Sequence, residues 1–144
     1  MKKFQVVVLI IISFILSNNV FAKDLTIEML NKSGKEIMIY SKKIARVNVG
    51  EKIFWKATDK GHNVEFIKNG TPAGVDKFKS KMNKDVEYQF KIPGIYAYWC
   101  SPHKGLGMIG FIVVGNNKSN LSNIKSIKFF GKSKKLAAEL IKKL

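Results

Sequence analysis

The chain has 144 residues, 46% of them hydrophobic, a formal charge of +16 and one cysteine. One cysteine excludes an internal disulfide framework, and the length suits one compact domain rather than several. So high a positive charge would ordinarily suggest nucleic acid, but no helix-turn-helix, zinc-finger or RNP-like pattern accompanies it.

The first 22 residues read as a secretory leader. Lys2 and Lys3 supply the basic start, residues 6–16 are almost wholly apolar, and Val20-Phe21-Ala22 places small residues at the usual cleavage offsets. The apolar run is short for a membrane span and lies close to the cleavage site, with a retained anchor as the alternative. Cleavage after Ala22 is therefore expected, with no stable membrane insertion afterwards. It removes two lysines and leaves a charge of +14. Export also argues against a nucleic-acid partner. An acidic protein or an anionic surface fits the charge better.

Residues 24–115 read as strands. Leu25, Ile27 and Met29 alternate with Asp24, Thr26 and Glu28, as a half-buried strand requires. Further strands are expected at 36–40, 44–49, 52–57, 63–67, 86–92, 94–100 and 108–114. Turn signals separate them: Ser33-Gly34, Val49-Gly50-Glu51, Asp59-Lys60-Gly61, Asn69-Gly70-Thr71-Pro72 and Pro93-Gly94. Eight short strands at close spacing predict an all-β sandwich. The longer connection over 69–84 is expected to be irregular, with room for a helical turn.

After Gly115 the character changes. Asn116-Asn117-Lys118-Ser119 reads as a linker. A short helix is expected over 121–127, capped by Ser119 or Asn120. A clearer one is expected over 133–144, where Leu136, Leu140 and Leu144 share a face and the lysines fall elsewhere. The expected division is thus a leader (1–22), a β domain (23–115) and a helical extension (116–144) packed on the sandwich.

The chemistry concentrates in Cys100-Ser101-Pro102-His103-Lys104-Gly105-Leu106-Gly107-Met108, between two strand-like runs. Two residues separate Cys100 from His103, and four separate His103 from Met108. A tight loop of this length can aim all three at one point, with Gly105 and Gly107 allowing the backbone to turn. His62 is the second imidazole. Taken singly, each has a blander reading: a buried thiol, a core thioether, a surface histidine. Taken together, one site explains the one cysteine and both histidines. Cys, two His and a distant Met are the ligands of a mononuclear blue-copper centre. Zinc is the rival, but it rarely takes a thioether and a structural zinc site wants a fourth strong ligand. Haem attachment is disfavoured because Cys-x-x-Cys-His is missing. Hydrolytic catalysis finds no Ser-His-Asp set, since both histidines are already used. No Gly-rich phosphate loop or internal repeat is seen.

These motifs resemble the cupredoxins, and among them the pseudoazurin family. The likeness runs through Met29-Leu30-Asn31-Lys32, Thr58-Asp59-Lys60-Gly61-His62-Asn63-Val64-Glu65 and Gly74-Val75-Asp76-Lys77-Phe78-Lys79-Ser80-Lys81. It continues in Pro93-Gly94-Ile95-Tyr96, Cys100-Ser101-Pro102-His103, Gly107-Met108 and Gly110. The resemblance implies a Greek-key sandwich holding one copper ion through His62, Cys100, His103 and Met108, cycling between Cu(I) and Cu(II). It implies that Asn63 ties the two ligand loops together, with Ser101 as partner and Pro102 beside it. It implies an electron port at the edge of His103, inside an apolar patch for which Pro72, Pro102, Leu106 and Gly107 are candidates. Lys32, Lys60, Lys79 and Lys104 would ring that patch and steer an acidic partner. The implied role is a soluble, monomeric, periplasmic electron carrier rather than an enzyme, serving a redox protein such as nitrite reductase or a cytochrome. A copper chaperone or storage protein is the alternative. Three departures from the common pattern stand out: Ser101 where Thr is usual, Leu106 where Met is frequent, and Trp99 where several relatives carry Lys.

Overall fold

The structure, a computed structural model, describes residues 24–144, and the expected leader over 1–22 lies outside them. Eight strands form: β1 (Leu25–Ser33), β2 (Glu36–Tyr40), β3 (Ile44–Val47), β4 (Lys52–Lys56), β5 (Glu65–Phe66), β6 (Val86–Gln89), β7 (Gly94–Trp99) and β8 (Ile109–Val114). Two helices follow, α1 (Leu121–Ser126) and α2 (Lys132–Ile141). The strands make two four-stranded sheets, ordered β2-β1-β4-β6 and β3-β8-β7-β5. The pairs β1–β4 and β3–β8 are parallel and the others antiparallel. A parallel pair cannot be closed by a hairpin, so the chain crosses repeatedly between sheets.

Between the sheets lies an aromatic core. Ile27, Met29, Ile53 and Trp55 come from one sheet and Phe66, Tyr96, Tyr98 and Ile112 from the other, with Phe90 beside them. Strand β1 buries Ile27 and Met29 alternately, as its sequence pattern requires. Strands β7 and β8 do not alternate: β8 is buried at all six positions. Their outer face is a second core, where Ile95, Ala97, Ile109, Phe111 and Val113 meet Ile124, Ala137, Leu140 and Leu144 of the extension. A leucine buried this way contributes about 1.5–3 kcal/mol. The extension is therefore a third layer on the sandwich. No helix among the described residues is long and apolar enough to cross a membrane.

Four expectations need correction. Strand β5 covers two residues rather than five, because Asn63 and Val64 turn their polar groups to Ser101 and Ser80 instead of a neighbouring strand. The 69–84 connection holds no helical turn. Part of it lies against β5, with Phe66 donating to the Phe78 carbonyl and Ser80 to the Val64 carbonyl. Asn120 stands before α1 but does not cap it with its side chain. Its amide instead bonds both the N–H and the carbonyl of Ile95, at 2.9 and 2.8 Å, as a strand neighbour would. Helix α2 begins at Lys132 and ends at Ile141, although Leu144 beyond it is buried.

Candidate metal centre

His62 sits on the β4–β5 connection, Cys100 immediately follows β7, and Met108 immediately precedes β8, so all converge at one end of the sandwich. The connection after Cys100 is a chain of tight turns. Residues Ser101–His103 form a 3₁₀ turn with Pro102 in its first turn, where a missing N–H costs nothing. His103 donates to the Cys100 carbonyl at 3.0 Å, and Leu106 and Met108 donate to the His103 carbonyl at 2.9 and 3.4 Å. Cys100 donates to the Met108 carbonyl at 3.0 Å, which brings the two sulfur residues side by side. Gly107 takes φ +106°, where a side chain would be strained; Gly105 does not, and is small because the Phe130 ring lies against it.

Three donor atoms meet. Cys100 Sγ lies 3.7 Å from His62 Nδ1 and 3.5 Å from His103 Nδ1, and the two nitrogens are 3.2 Å apart. A triangle of these sides has a centre about 2.0 Å from each corner, close to first-row metal–imidazole distances of about 2.0–2.1 Å. Met108 is wholly buried in the same apolar cluster as Cys100. His62 Nε2 faces Asn31 Oδ1 at 2.8 Å. An amide oxygen only accepts, so Nε2 carries the proton and Nδ1 presents a lone pair to the site. Once the thiol and the site-facing His103 nitrogen give up their protons, two imidazole nitrogens and a sulfur offer their lone pairs to one point. The donor set therefore fits a soft-to-borderline metal ion, and copper suits the combination of thiolate, two imidazoles and thioether.

Asn31 stands in one of the resembling motifs, but nothing in the sequence gives it a role at the site. It lies where the β1–β2 ladder lapses: Leu30 pairs with Ile39 and Lys32 with Ile37, but Asn31 and Met38 do not pair. Met38 has φ 50° there, and the Asn31 N–H is taken by Asp59 Oδ2 at 2.6 Å. The lapse leaves Asn31 anchored to the His62 loop instead of to β2.

Asn63 joins the two ligand loops. Its amide donates to Ser101 Oγ at 2.9 Å and accepts from the Ser101 N–H at 2.8 Å, and the Tyr40 hydroxyl donates to its carbonyl at 2.7 Å. Ser101 Oγ in turn donates to Glu65 Oε2 at 2.6 Å, and the Trp99 indole donates to the same oxygen at 3.1 Å. Glu65, also missed from sequence, is thus the hub beneath Trp99. Burial opposes its ionisation, but bonds from Ser101 and Trp99 and the charge of Lys79 prevail and hold the carboxyl below its usual range.

Burial controls the other titrations. It pushes the Cys100 thiol up, against the backbone amides of Asn63 and His103 that favour the thiolate. It pushes His62 down, helped by His103 and opposed by Asp59, and it pushes His103 down as well. In the metal-free protein the donor set is therefore neutral near pH 7, and a metal ion taken up there displaces the thiol proton.

Around the half-buried His103 the surface is mixed. Leu106 is 43% and Phe130 48% exposed, and Pro102 is also exposed. Pro72 and Gly107, expected in the patch, are not part of it: both are buried, Pro72 against Gly94. Lys32 and Lys60 are exposed. Lys79 is exposed but lies 3.5 Å from Glu65. Lys104 Nζ lies over the rings of Trp99 and Phe130, 5.0 and 5.7 Å from their centres. Phe130 comes from the extension, and nothing local to the copper loop's sequence announces it.

Comparison with known proteins agrees with this geometry. Residues 27–115 match the profile of copper binding proteins of the plastocyanin/azurin family. Pseudoazurin of Paracoccus pantotrophus is 39% identical over 121 residues, covering 83% of each chain. The crystal structure of pseudoazurin from Methylobacterium extorquens AM1 superposes with a TM-score of 0.80 at 31% identity, covering 84% of this chain and 98% of that one. That of native pseudoazurin from Hyphomicrobium denitrificans gives 0.79 at 32%, covering 85% and 98%. A converging thiol–imidazole site at one end of a two-sheet sandwich, in a chain with these relatives, is a copper site, and the chain belongs to the pseudoazurins within the plastocyanin/azurin family of copper-binding proteins.

Proposed function

We propose that the protein is an exported, periplasmic one-electron carrier whose copper ion is held by His62, Cys100, His103 and Met108. The observation that carries this reading is the convergence of Cys100 Sγ and two Nδ1 atoms at 3.2–3.7 Å, with one imidazole wholly buried and the other at the surface. Bound copper supplies a Cu(I)/Cu(II) couple, with thiolate suiting the first state and imidazole serving both. The residues do the rest. Asn31 fixes the tautomer of His62, and Asn63 and Ser101 keep the two loops at constant separation. A cage held from several sides moves little between oxidation states, so electron transfer needs little reorganisation. The apolar cluster around Cys100 and Met108 keeps water from the sulfur.

His103, flanked by Pro102, Leu106 and Phe130, is the electron port in this reading. Lys32, Lys60, Lys79 and Lys104 steer an acidic face of a redox protein, such as nitrite reductase or a cytochrome, towards it. The carrier works as a monomer and has no reaction of its own to catalyse. The test is the addition of Cu(II) to the metal-free protein. An intense thiolate-to-copper band near ~600 nm and a reversible one-electron wave are expected. A colourless 1:1 complex would end the carrier reading, and rapid loss of copper to a mild chelator would favour a chaperone.

A further inference from the structure

We propose that the start of α2 is a clasp on the ligand loop, and that Ser133 and the Lys132 backbone are positioning groups for His103. The two imidazoles are unequally supported. His62 has Asn31 on its far nitrogen, whereas His103 has no hydrogen-bond partner beyond the site among the described residues. Its direction therefore depends on the backbone that carries it. That backbone is fixed before His103 by the 3₁₀ turn, and after it by the extension.

Three kinds of contact make the second fixation. Ser133 is wholly buried in the first turn of α2, yet its hydroxyl does not cap its own helix. It donates to the carbonyl of Lys104, the residue after His103. The Lys132 N–H, one of the amides a helix start leaves unpaired, donates to the Gly105 carbonyl at 2.9 Å. Apolar contacts complete it: Phe130 lies against Gly105 and Leu136 against Gly107. Gly131, at φ +58°, passes so close that a Cβ there would run into the Gly105 carbonyl. Lys104, Gly105 and Gly107 are thus pinned by residues 130–136 of the extension. The bulk of the extension anchors elsewhere, on the outer face of β7 and β8. The clasp transmits that rigid anchorage to the loop of the more exposed ligand. The effect on the metal rests on the copper reading above; the clasp itself does not.

The experiment compares three variants with the parent. Ser133→Ala removes the side-chain bond. Lys132→Pro removes the backbone donor and sets a ring carbon against the Gly105 carbonyl, at a first-turn position where the helix itself tolerates proline. Ser126→Ala removes an exposed hydroxyl bond of the extension that does not touch the loop, and is the control. Amide hydrogen exchange is followed on the metal-free proteins. Losing one such bond loosens the loop by about tenfold, so the Leu106 and Met108 amides should exchange about tenfold faster in both clasp variants and unchanged in the control. The copper-loaded clasp variants should then show a shifted reduction potential and an altered visible and EPR spectrum, and the control should not. Unchanged loop amides in both clasp variants overturn the clasp. Faster amides with potential and spectrum fixed overturn the positioning of His103. A parent with no blue band, beside variants with faster amides, overturns the copper reading and leaves the clasp standing.

Discussion

The two histidine loops of this site solve the same problem by different means. The His62 loop is held by side chains: Asn31 on the imidazole, Asp59 on Asn31, and Asn83, whose side chain accepts from Gly61 while its N–H donates to the His62 carbonyl at 2.9 Å. The His103 loop is held by its own backbone turns and by the extension. One imidazole is wholly buried and the other reaches the surface. The difference teaches a division of labour. A buried donor with a partner of its own sets the site, and in the proposed function a half-buried donor on a braced loop passes electrons without losing its place.

The largest effect should come from removing what both loops share. Cys100→Ser keeps the volume but replaces the soft donor, so the ~600 nm band and the reversible wave should vanish while the fold survives. Visible spectra and circular dichroism check both halves, and a blue Cys100→Ser protein would refute the ligand assignment.

Next, Asn31→Ala attacks the side-chain bracing alone. It leaves the buried His62 Nε2–H without its partner and frees the tautomer, and copper affinity should fall by about 10–100-fold. Competition with a chelator of known affinity measures this. An equal loss in Lys104→Ala, which touches no donor atom of the site, would erase the contrast between the loops.

A smaller effect is expected from charge. Lys60→Glu and Lys104→Glu should each slow association with an acidic redox partner by up to about tenfold at low salt and barely move the potential. Lys104 should matter more, because it adjoins the exposed imidazole, although its reversal also removes the contact with Trp99 and Phe130. Stopped-flow rates that ignore ionic strength would refute steering.

The smallest effect is on the metal-free protein in acid. Both imidazoles are pushed below their ordinary value of 6.5 by burial. In the window below that value the unfolded chain binds more protons than the folded one, so stability falls as pH falls. The urea midpoint should drop between pH 7.5 and pH 5. His62→Gln should weaken that dependence.

The sequence was most legible where chemistry and spacing coincide. A chain with one cysteine and two histidines, two of the three within four residues, leaves few ways to place a soft metal. The strands of the first sheet were legible because β1 has one buried face and alternates accordingly. The unbroken apolar run of β8 carried a different message, that something covers its outer face, and the extension does. What stayed hidden depends on partners far apart in the chain. Asn31 meets His62 across 31 positions, through a ladder lapse that no local signal marks. Phe130 reaches the loop from the segment that leads into α2, and Pro72 is buried with Gly94 against it. Asn120 reads as a helix cap by type and serves a strand instead. In each case residue type was visible and the long-range neighbour was not.

The single cysteine of the chain is wholly buried within the site. Thiol reactivity requires both a thiolate and access, and Cys100 has neither when its pKa is pushed up by burial. A second cysteine introduced on the surface would therefore be chemically unique. A maleimide dye or a gold surface would find it and leave the site alone. Attachment could then be directed to the β3–β4 turn, at exposed Val49, in one variant and beside Leu106 in another, presenting opposite ends of the sandwich to an electrode. The ratio of the two currents would map how far an electron must travel from the buried sulfur in each direction.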